Sequence, residues 1–392
     1  MRPLEGITVV SLEQAVAAPF ATRQLADLGA RVIKIERPGT GDFARGYDAT
    51  VQGMSSHFVW LNRSKESLTL DLKREEGRLV LHRLLEKADV FVQNLAPGAV
   101  ERLGFGTQEL RKKYPRLIVC NLSGYGSFGP YRDKKAYDLL IQAETGLISI
   151  TGTEQTPSKV GISIADISCG MYAYSGILTA LLVRSRTGEG VALETSLFDS
   201  LAEWMSYATY YTTYGGTAPP RTGASHATIA PYGPAQSSDN KVVYLGLQNE
   251  REWRRFCEVV LQNPQLAVDP RFDCNANRVK NRSQLDQAVQ EVFRKLTAAE
   301  IVARLEAAQI ANARMNTVEE FADHPQLEAR NRWTTVNSPV GPLKALLPPV
   351  SMEHVETVMN EVPALGQQTD AILGELGFDS SEIAAWREAG VI

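Results

Sequence analysis

The chain has 392 residues, of which 44% are hydrophobic and 22% are charged. This composition is close to that of average globular proteins and excludes a disordered or collagen-like chain. The 41 basic and 45 acidic residues leave a net charge of −4. Because proteins that bind nucleic acid or anionic membranes usually carry a basic excess, we expect neither kind of partner.

Targeting and metal signals are sparse. Residues 1–6 lack the apolar core of a signal peptide, and no run approaches the roughly 20 uninterrupted apolar residues of a membrane helix. The four cysteines, at positions 120, 169, 257 and 274, form no CxxC or zinc-binding pattern, and each is expected to be a small buried apolar residue. The sequence therefore predicts a cytoplasmic protein without a metal site.

The first half of the chain alternates strand and helix patterns. Strands are predicted at 6–12, 30–36, 67–72, 89–94 and 117–122, and helices at 19–28 and 75–87. These strands are apolar on both faces and separated by helices, which is typical of a parallel sheet covered on both sides. We predict an α/β fold with an open, doubly wound, Rossmann-like domain.

The second half is predicted to be mainly helical from 136 to 182, with a Gly-rich break at 151–161. A strand at 190–196 and one long aromatic-rich helix follow. Gly and Pro residues in Thr213–Gly223 mark the best domain boundary. Beyond it, the patterns predict a strand at 241–247 and helices at 250–261, 283–296, 298–308 and 367–376.

Residues Gly124–Gly129 fit the GxGxxG pattern of dinucleotide-binding sites and follow a predicted strand. That fingerprint must open a helix whose N-terminus faces the pyrophosphate. Here Pro130 follows the third glycine, and a polar loop continues from it. The pattern therefore favours a tight glycine loop over a nicotinamide site.

Two carboxylates and three cations are the candidate functional groups. Asp166 begins an almost wholly apolar helix, where it suits either a helix cap or a partly desolvated nucleophile held ionised by the helix N-terminus. Asp138 is equally open between a cap and a functional role. Arg37, Lys73 and Arg102 follow predicted strands, and their convergence at one sheet edge favours an anionic, phosphate-bearing ligand.

Several longer segments form a distinctive combined pattern over nearly the whole chain. They are LEGITVV at 4–10, APFAT at 18–22, LADLGARVIKIERPG at 25–39, GD at 41–42, NRSKESLTLDLK at 62–73, ADVFVQN at 88–94, GAVERLG at 98–104, ADISCG at 165–170 and GQQTDAIL at 366–373. In these segments the chain resembles the family III CoA-transferases, the group containing formyl-CoA transferase and the α-methylacyl-CoA racemases.

The resemblance implies a site and an architecture. Asp166 occupies the position of the family's nucleophilic aspartate. Coenzyme A, a substrate and not a tightly bound cofactor, is expected to contact Ala15, Val16, Ala17, Arg37, Leu70, Lys73, Asn94, Leu95, Arg102 and Lys135. The family fold implies a large domain begun by residues 1–215, a smaller α+β domain at 224–330, and a segment at 331–392 that returns to the large domain. Two such chains are expected to interlock as rings in a homodimer.

One departure concerns the lid. The glycine-rich loop that formyl-CoA transferase closes over its site has no counterpart here, because residues 225–233 read SHATIAPYG. The family's lid mechanics therefore cannot be carried over.

The resemblance favours CoA transfer between an acyl-CoA and a carboxylic acid. Racemisation at the α-carbon of an acyl-CoA is the rival, but the racemases place a His beside an Asp where this chain has Tyr137 and Asp138. A non-catalytic CoA-binding protein is the remoter alternative. The chain resembles in particular members acting on itaconate, mesaconate or citramalate, with succinyl-CoA as donor. Tyr137 is a further substrate candidate, and Arg45 and His226 are candidates for holding a second carboxylate.

Overall fold

The computed structural model describes residues 1–392, which form eleven strands and eighteen α-helices. The strands are β1 (Thr8–Leu12), β2 (Arg31–Glu36), β3 (Lys65–Thr69), β4 (Val90–Gln93), β5 (Ile118–Ser123), β6 (Ala192–Ser196), β7 (Tyr232–Gln236), β8 (Val242–Gly246), β9 (Ala311–Arg314), β10 (Trp333–Val336) and β11 (Leu343–Leu346). The helices are α1 (Ala17–Asp27), α2 (Ser56–Asn62), α3 (Glu75–Leu85), α4 (Ala99–Arg102), α5 (Thr107–Lys113), α6 (Asp138–Glu144), α7 (Leu147–Ile150), α8 (Ile164–Thr187), α9 (Leu197–Trp204), α10 (Ser206–Gly215), α11 (Glu250–Arg255), α12 (Asn275–Lys280), α13 (Arg282–Phe293), α14 (Ala298–Ala307), α15 (Val318–Ala322), α16 (Pro325–Ala329), α17 (Thr369–Glu375) and α18 (Ser380–Glu388).

The first six strands form one parallel sheet in the order β3-β2-β1-β4-β5-β6. This order confirms the prediction of a doubly wound α/β domain. The chain moves outward from β1 to β3, then returns to β4 on the other side of β1. Because all six strands are parallel, their carboxyl ends lie along one edge, where doubly wound sheets bind ligands.

The two faces of this sheet differ in chemistry. One face carries the apolar core, in which Val10, Ile33 and Phe91 pack with helix residues such as Leu81 and Ile372. Ile372, from the C-terminal segment, is part of this core. The other face is covered by α1 and α8 and includes buried charged side chains.

Most element predictions are confirmed, with shifted boundaries. β3 begins at Lys65, two residues before the predicted start, and the charge of Lys65 is buried in an ion pair with Glu13. The predicted long aromatic helix is divided into α9 and α10, which are separated by Met205. Helix α2 and the strands β7, β9, β10 and β11 were not predicted.

The chain folds into two compact units, whose boundaries differ from the predicted ones. The larger unit comprises residues 1–145, 161–205 and 327–392, and the smaller comprises 146–160 and 206–326. The second segment of the smaller unit begins at residue 206, seven residues before the predicted boundary region Thr213–Gly223, and the unit also takes most of the Gly-rich break at 151–161. It contains the antiparallel sheet β7-β8-β9 and its own core, which includes Trp253, Phe256 and Phe293.

Helix α8 meets the length and hydropathy criteria of a membrane span, which the sequence reading did not anticipate. A core helix of a soluble protein meets the same criteria, so this is weak evidence. In the structure, α8 is the connection between β5 and β6 and packs along α1.

Candidate active site

Asp166 lies in the first turn of α8 and carries a carboxylate without hydrogen-bond donors. The side chain is partly buried, and no protein group donates a hydrogen bond to it. Burial, and secondly the negative charge of Asp138, raise the pKa of Asp166 to about 7 from the ordinary 3.8. At this carboxylate, desolvation therefore outweighs the helix dipole, which would lower the pKa.

The cap of α8 is Asp138, not Asp166. Oδ1 of Asp138 accepts hydrogen bonds from the backbone N–H of Ala165 (2.7 Å) and of Asp166 (3.2 Å). Its Oδ2 accepts a bond from Nε2 of Gln142 (2.6 Å). This excludes the alternative that Asp166 is the helix cap, because the N–H groups that a cap would satisfy already donate to Asp138 in α6.

A glycine brings the Asp166 turn close to the loop after β1. A Cβ on Gly170, one turn beyond Asp166, would lie 2.6 Å from the carbonyl oxygen of Ala17 and 3.0 Å from Cδ1 of Phe20. Only glycine permits this approach of α8 to the start of α1. The first N–H groups of α1 have no side-chain cap, because Val16 occupies the N-cap position.

Two tyrosines complete the surroundings of Asp166. Tyr47 is half exposed, and its pKa is raised to about 12, first by burial and then by the charges of Asp42 and Asp166 and by Tyr137. It is therefore a protonated hydrogen-bond donor at neutral pH. Tyr137 is 67% exposed and precedes the capping Asp138. Tyr47 was missed as a candidate, although it follows the GD motif that contributed to the family resemblance.

The Gly124–Gly129 segment is a loop, as predicted. A Cβ on Gly124 would lie 2.3 Å from Cβ of Ala136, so the glycine admits the chain just before Tyr137. The segment therefore supports the active-site loop, and no helix follows it as a dinucleotide site would require.

The ten residues that the resemblance assigns to CoA lie in the segments that leave the sheet at the carboxyl ends of its strands. They follow β1, β2, β3, β4 and β5 in turn. Four are exposed cations without a carboxylate partner: Arg37, Lys73, Arg102 and Lys135. In contrast, Arg31 and Lys134 pair with Glu66 and Glu144. Unpaired cations at this edge suit the phosphates of CoA.

Other members of this set can contact a ligand only in restricted ways. Val16, Ala17 and Leu70 are buried, so their side chains are not available to a ligand and only their backbones are candidates. The amide of Asn94 accepts a bond from the backbone N–H of Gln14 (2.8 Å) and donates one to its carbonyl (2.9 Å). Asn94 therefore holds the β1–α1 loop in place.

The two candidates for the second carboxylate have other partners. The guanidinium of Arg45 binds both carboxylate oxygens of Glu36 (2.8 Å each) and stacks on Phe58. Its charge is already matched, which disfavours the predicted substrate role. His226 lies in the smaller unit, where its ring stacks on Tyr232 with centroids 5.2 Å apart.

A cavity of about 800 Å³ opens beside this edge, at the ends of β4 and β5. Leu95 contributes to its wall together with Gln93, Asn121 and Ser123. Asp166 is not among the residues that line this cavity.

The sequence model described as CoA-transferase family III matches residues 4–369. The chain belongs to this family. As a CoA-transferase it acts on CoA thioesters, which fits the unpaired cations at the sheet edge and the carboxylate of Asp166. This also supports the expectation that CoA is a substrate and not a resident cofactor.

Related proteins cover nearly the full length of this CoA-transferase. An acetyl-CoA:oxalate CoA-transferase of Acetobacter aceti is 38% identical over 84% of this chain and 85% of its own. A succinyl-CoA:glutarate CoA-transferase of Mus musculus is 32% identical (100% and 91%), and a succinyl-CoA–D-citramalate CoA-transferase of Chloroflexus aurantiacus is 30% identical (100% and 98%). A CAIB/BAIF family protein from Brucella suis has a similar structure, with a TM-score of 0.83 and 31% identity over 95% of this chain and 99% of that one.

Proposed function

We propose that this CoA-transferase moves CoA from succinyl-CoA to a small C4–C5 dicarboxylate through covalent intermediates on Asp166. The observation that carries this proposal is the Asp166 carboxylate, which accepts no hydrogen bond and has a pKa of about 7. At neutral pH about half of such carboxyl groups are ionised and able to attack, and the raised pKa makes the ionised form a stronger base and nucleophile than an ordinary carboxylate.

The reaction exchanges bonds without net proton transfer. Asp166 attacks the thioester carbon of the donor, the C–S bond breaks, and an aspartyl–acyl anhydride and CoA thiolate form. The thiolate then attacks the aspartyl carbonyl of the anhydride, which releases the donor carboxylate and leaves an aspartyl-CoA thioester. The acceptor carboxylate repeats both steps in reverse, so that Asp166 is regenerated and the new acyl-CoA leaves.

Nearby groups supply charge stabilisation. The uncapped N–H groups at the start of α1, drawn close by Gly170, suit the oxyanion that forms as each carbonyl is attacked. The protonated Tyr47 offers a neutral O–H donor to the same region. Four exposed cations hold the CoA phosphates, so that the thiolate stays at the site between steps.

The substrate class is supported by the relatives' names and by the resemblance to enzymes of itaconate, mesaconate and citramalate. Relatives named for oxalate, glutarate and citramalate all accept dicarboxylates. A panel of mono- and dicarboxylic acceptors, offered with succinyl-CoA and acetyl-CoA and resolved by mass, tests the assignment. Preference for formate, oxalate or a long fatty acid over every C4–C5 dicarboxylate contradicts it, while the transferase chemistry stands.

Asp166→Asn is the test of the nucleophile. The variant should fold and bind CoA but lose transfer, and mass spectrometry must show that the introduced amide has not deamidated. Wild-type turnover by the variant with its amide intact refutes the role. Incubation with a 2-methylacyl-CoA in deuterated water tests racemisation, since solvent deuterium at C2 without an acceptor acid would support that rival.

We also propose that the enzyme is a cytoplasmic homodimer with interlocked chains. Large apolar side chains are exposed on α8 and α9, including Leu182 (54%) and Trp204 (46%), and Tyr214 on α10 is 82% exposed. Monomeric proteins rarely expose so many, and a second copy of the chain would cover them. Light scattering should give twice the 43.1 kDa chain mass. A monomer at micromolar concentration contradicts the proposal.

A further inference from the structure

A buried ionic network lies directly beneath the β1–α1 loop. Lys34 contacts Asp42 (2.8 Å) and Glu13 (3.3 Å), and Lys65 contacts Glu13 (2.7 Å). All four side chains are fully buried. The two cations match the two carboxylates, as buried charges require.

Asp42 differs from the rest of the network because its carboxylate also holds backbone. Its Oδ1 accepts bonds from the N–H of Ala15 (3.0 Å) and of Ala44 (2.9 Å), while Oδ2 receives Lys34. Ala15 has a φ of +62°, a left-handed conformation that is unfavourable for a residue with a Cβ. The hydrogen bond from its N–H therefore helps to hold a conformation that the loop would not otherwise keep.

The loop and the turn after Asp42 are tied together in a second way. Oε1 of Gln14 accepts a bond from the backbone N–H of Phe43 (3.2 Å), and the backbone of Gln14 is fixed by Asn94. The 3-10 turn Phe43–Gly46 then leads directly to Tyr47. Asp42 thus links the loop that begins α1 to the turn that leads to Tyr47.

We propose that Asp42 is a positioning residue, whose buried carboxylate orders the β1–α1 loop for acyl-CoA binding and sets the place of Tyr47. The proposal rests on the proposed function, since the loop matters only if CoA binds beside it. Its alternative is a purely structural ion pair with Lys34. The two differ in outcome, because loss of an ion pair lowers stability, whereas loss of positioning weakens CoA binding.

Asp42→Asn removes the charge and weakens the hold on the two N–H groups. Asp27→Asn is the matched control, because Asp27 is equally buried at the far end of α1 and pairs with Arg63 (2.8 Å). Calorimetry with CoA should show affinity reduced about tenfold in Asp42→Asn and unchanged within about twofold in Asp27→Asn, with similar losses of thermal stability. Equal effects on CoA affinity in both variants, or none in Asp42→Asn, overturn the proposal.

Amide hydrogen exchange of the wild-type enzyme gives a second test that needs no variant to fold. With exchange resolved to single residues, the amide of Ala15 should exchange slowly before CoA is added and change little afterwards, because Asp42 already accepts its hydrogen bond. Fast exchange that slows only with CoA means that the ligand orders the loop, which overturns the role of Asp42. Because both measurements use CoA binding, they stay decisive if the enzyme transfers none of the proposed acids, a result that contradicts only the proposed function.

Discussion

Replacing Asp138 by Asn should separate the two effects of this residue on Asp166. The amide oxygen can still accept the N–H bonds of Ala165 and Asp166, so α8 keeps its cap. The negative charge is lost, and with it the second cause of the raised pKa of Asp166. Burial, the larger cause, remains. The pKa of Asp166 should therefore fall below about 7 without reaching 3.8.

The size of the change follows from the like charge that is removed. A neighbouring carboxylate in a partly desolvated site changes a pKa by about one unit, equivalent to about 1.4 kcal/mol. In the wild type only about a tenth of Asp166 is ionised at pH 6, whereas in Asp138→Asn about half should be. The plateau rate at high pH should decrease, because a less basic carboxylate is a weaker nucleophile.

The assay is kcat/KM for succinyl-CoA from pH 5 to 9 with a saturating acceptor acid. The wild-type profile should rise through about pH 7, since Asp166 must be ionised to attack. The acid limb of Asp138→Asn should lie about one pH unit lower. Glu144→Gln is the control, because it removes a carboxylate from the other end of α6, where Glu144 pairs with Lys134. Coincident acid limbs for the wild type and Asp138→Asn refute the reasoning, as does an equal shift in Glu144→Gln.

Three further predictions test the rest of the site. Gly170→Ala should lower kcat about 10- to 100-fold and the free energy of unfolding by about 1–3 kcal/mol, because its Cβ meets the backbone of Ala17. Gly176→Ala, on the same helix, is the control: its Cβ meets only the flexible end of Leu193, so both quantities should change little. Equal losses in the two variants contradict the close approach of α8 to α1. Asp166→Asn should raise the melting temperature more at pH 8 than at pH 4.5. The Asp166 carboxyl has a pKa of about 7 in the folded chain and near 3.8 in the unfolded chain, so its charge destabilises the fold by up to about 4 kcal/mol above pH 7 and by little near pH 4. An equal gain at both pH values would count against the buried charge. Arg37→Ala should weaken CoA binding about tenfold and make that binding less dependent on salt. Lys87→Ala, at the amino end of β4, is the control and should change neither the affinity for CoA nor its salt dependence. Equal weakening in the two variants would place the phosphates elsewhere.

The sheet could be predicted because its signals are local and strong. The strands that became β1, β2 and β4 are rich in β-branched and apolar residues and are buried on both faces, and the helices between them have clear starts and ends. The start of β3 was predicted two residues late because Lys65 looks like a surface residue, whereas it is buried by a partner distant in sequence, Glu13. Strands are predicted from the spacing of apolar residues, and a polar residue that is buried by pairing with a distant partner does not contribute to that pattern.

The site residues stay a prediction from the resemblance, and composition alone would have suggested neither Asp166 nor the CoA-binding residues. Their burial and hydrogen bonds could not be predicted from the sequence. Cys274, expected to be buried like the other cysteines, is exposed, since a lone Cys gives no information on its surroundings. The roles of Asn94 and Arg45 depend on hydrogen bonds to Gln14 and Glu36, which only the folded chain brings within reach.

Asp138 shows why a single residue can resist assignment from a pattern. As a cap it belongs to α8, 27 residues further along the chain, although it stands in the first turn of α6. An uncharged acceptor would satisfy the same N–H groups, and an acid elsewhere could raise the pKa of Asp166. In this protein the carboxylate of Asp138 does both: it caps α8 and raises the pKa of Asp166. Because one of its cap bonds comes from the backbone N–H of Asp166 itself, the cap also fixes the distance between the carboxylates of Asp138 and Asp166. The basicity of the nucleophile is thereby coupled to the geometry of its helix, and a change that loosens the cap should also lower the pKa on which the proposed chemistry depends.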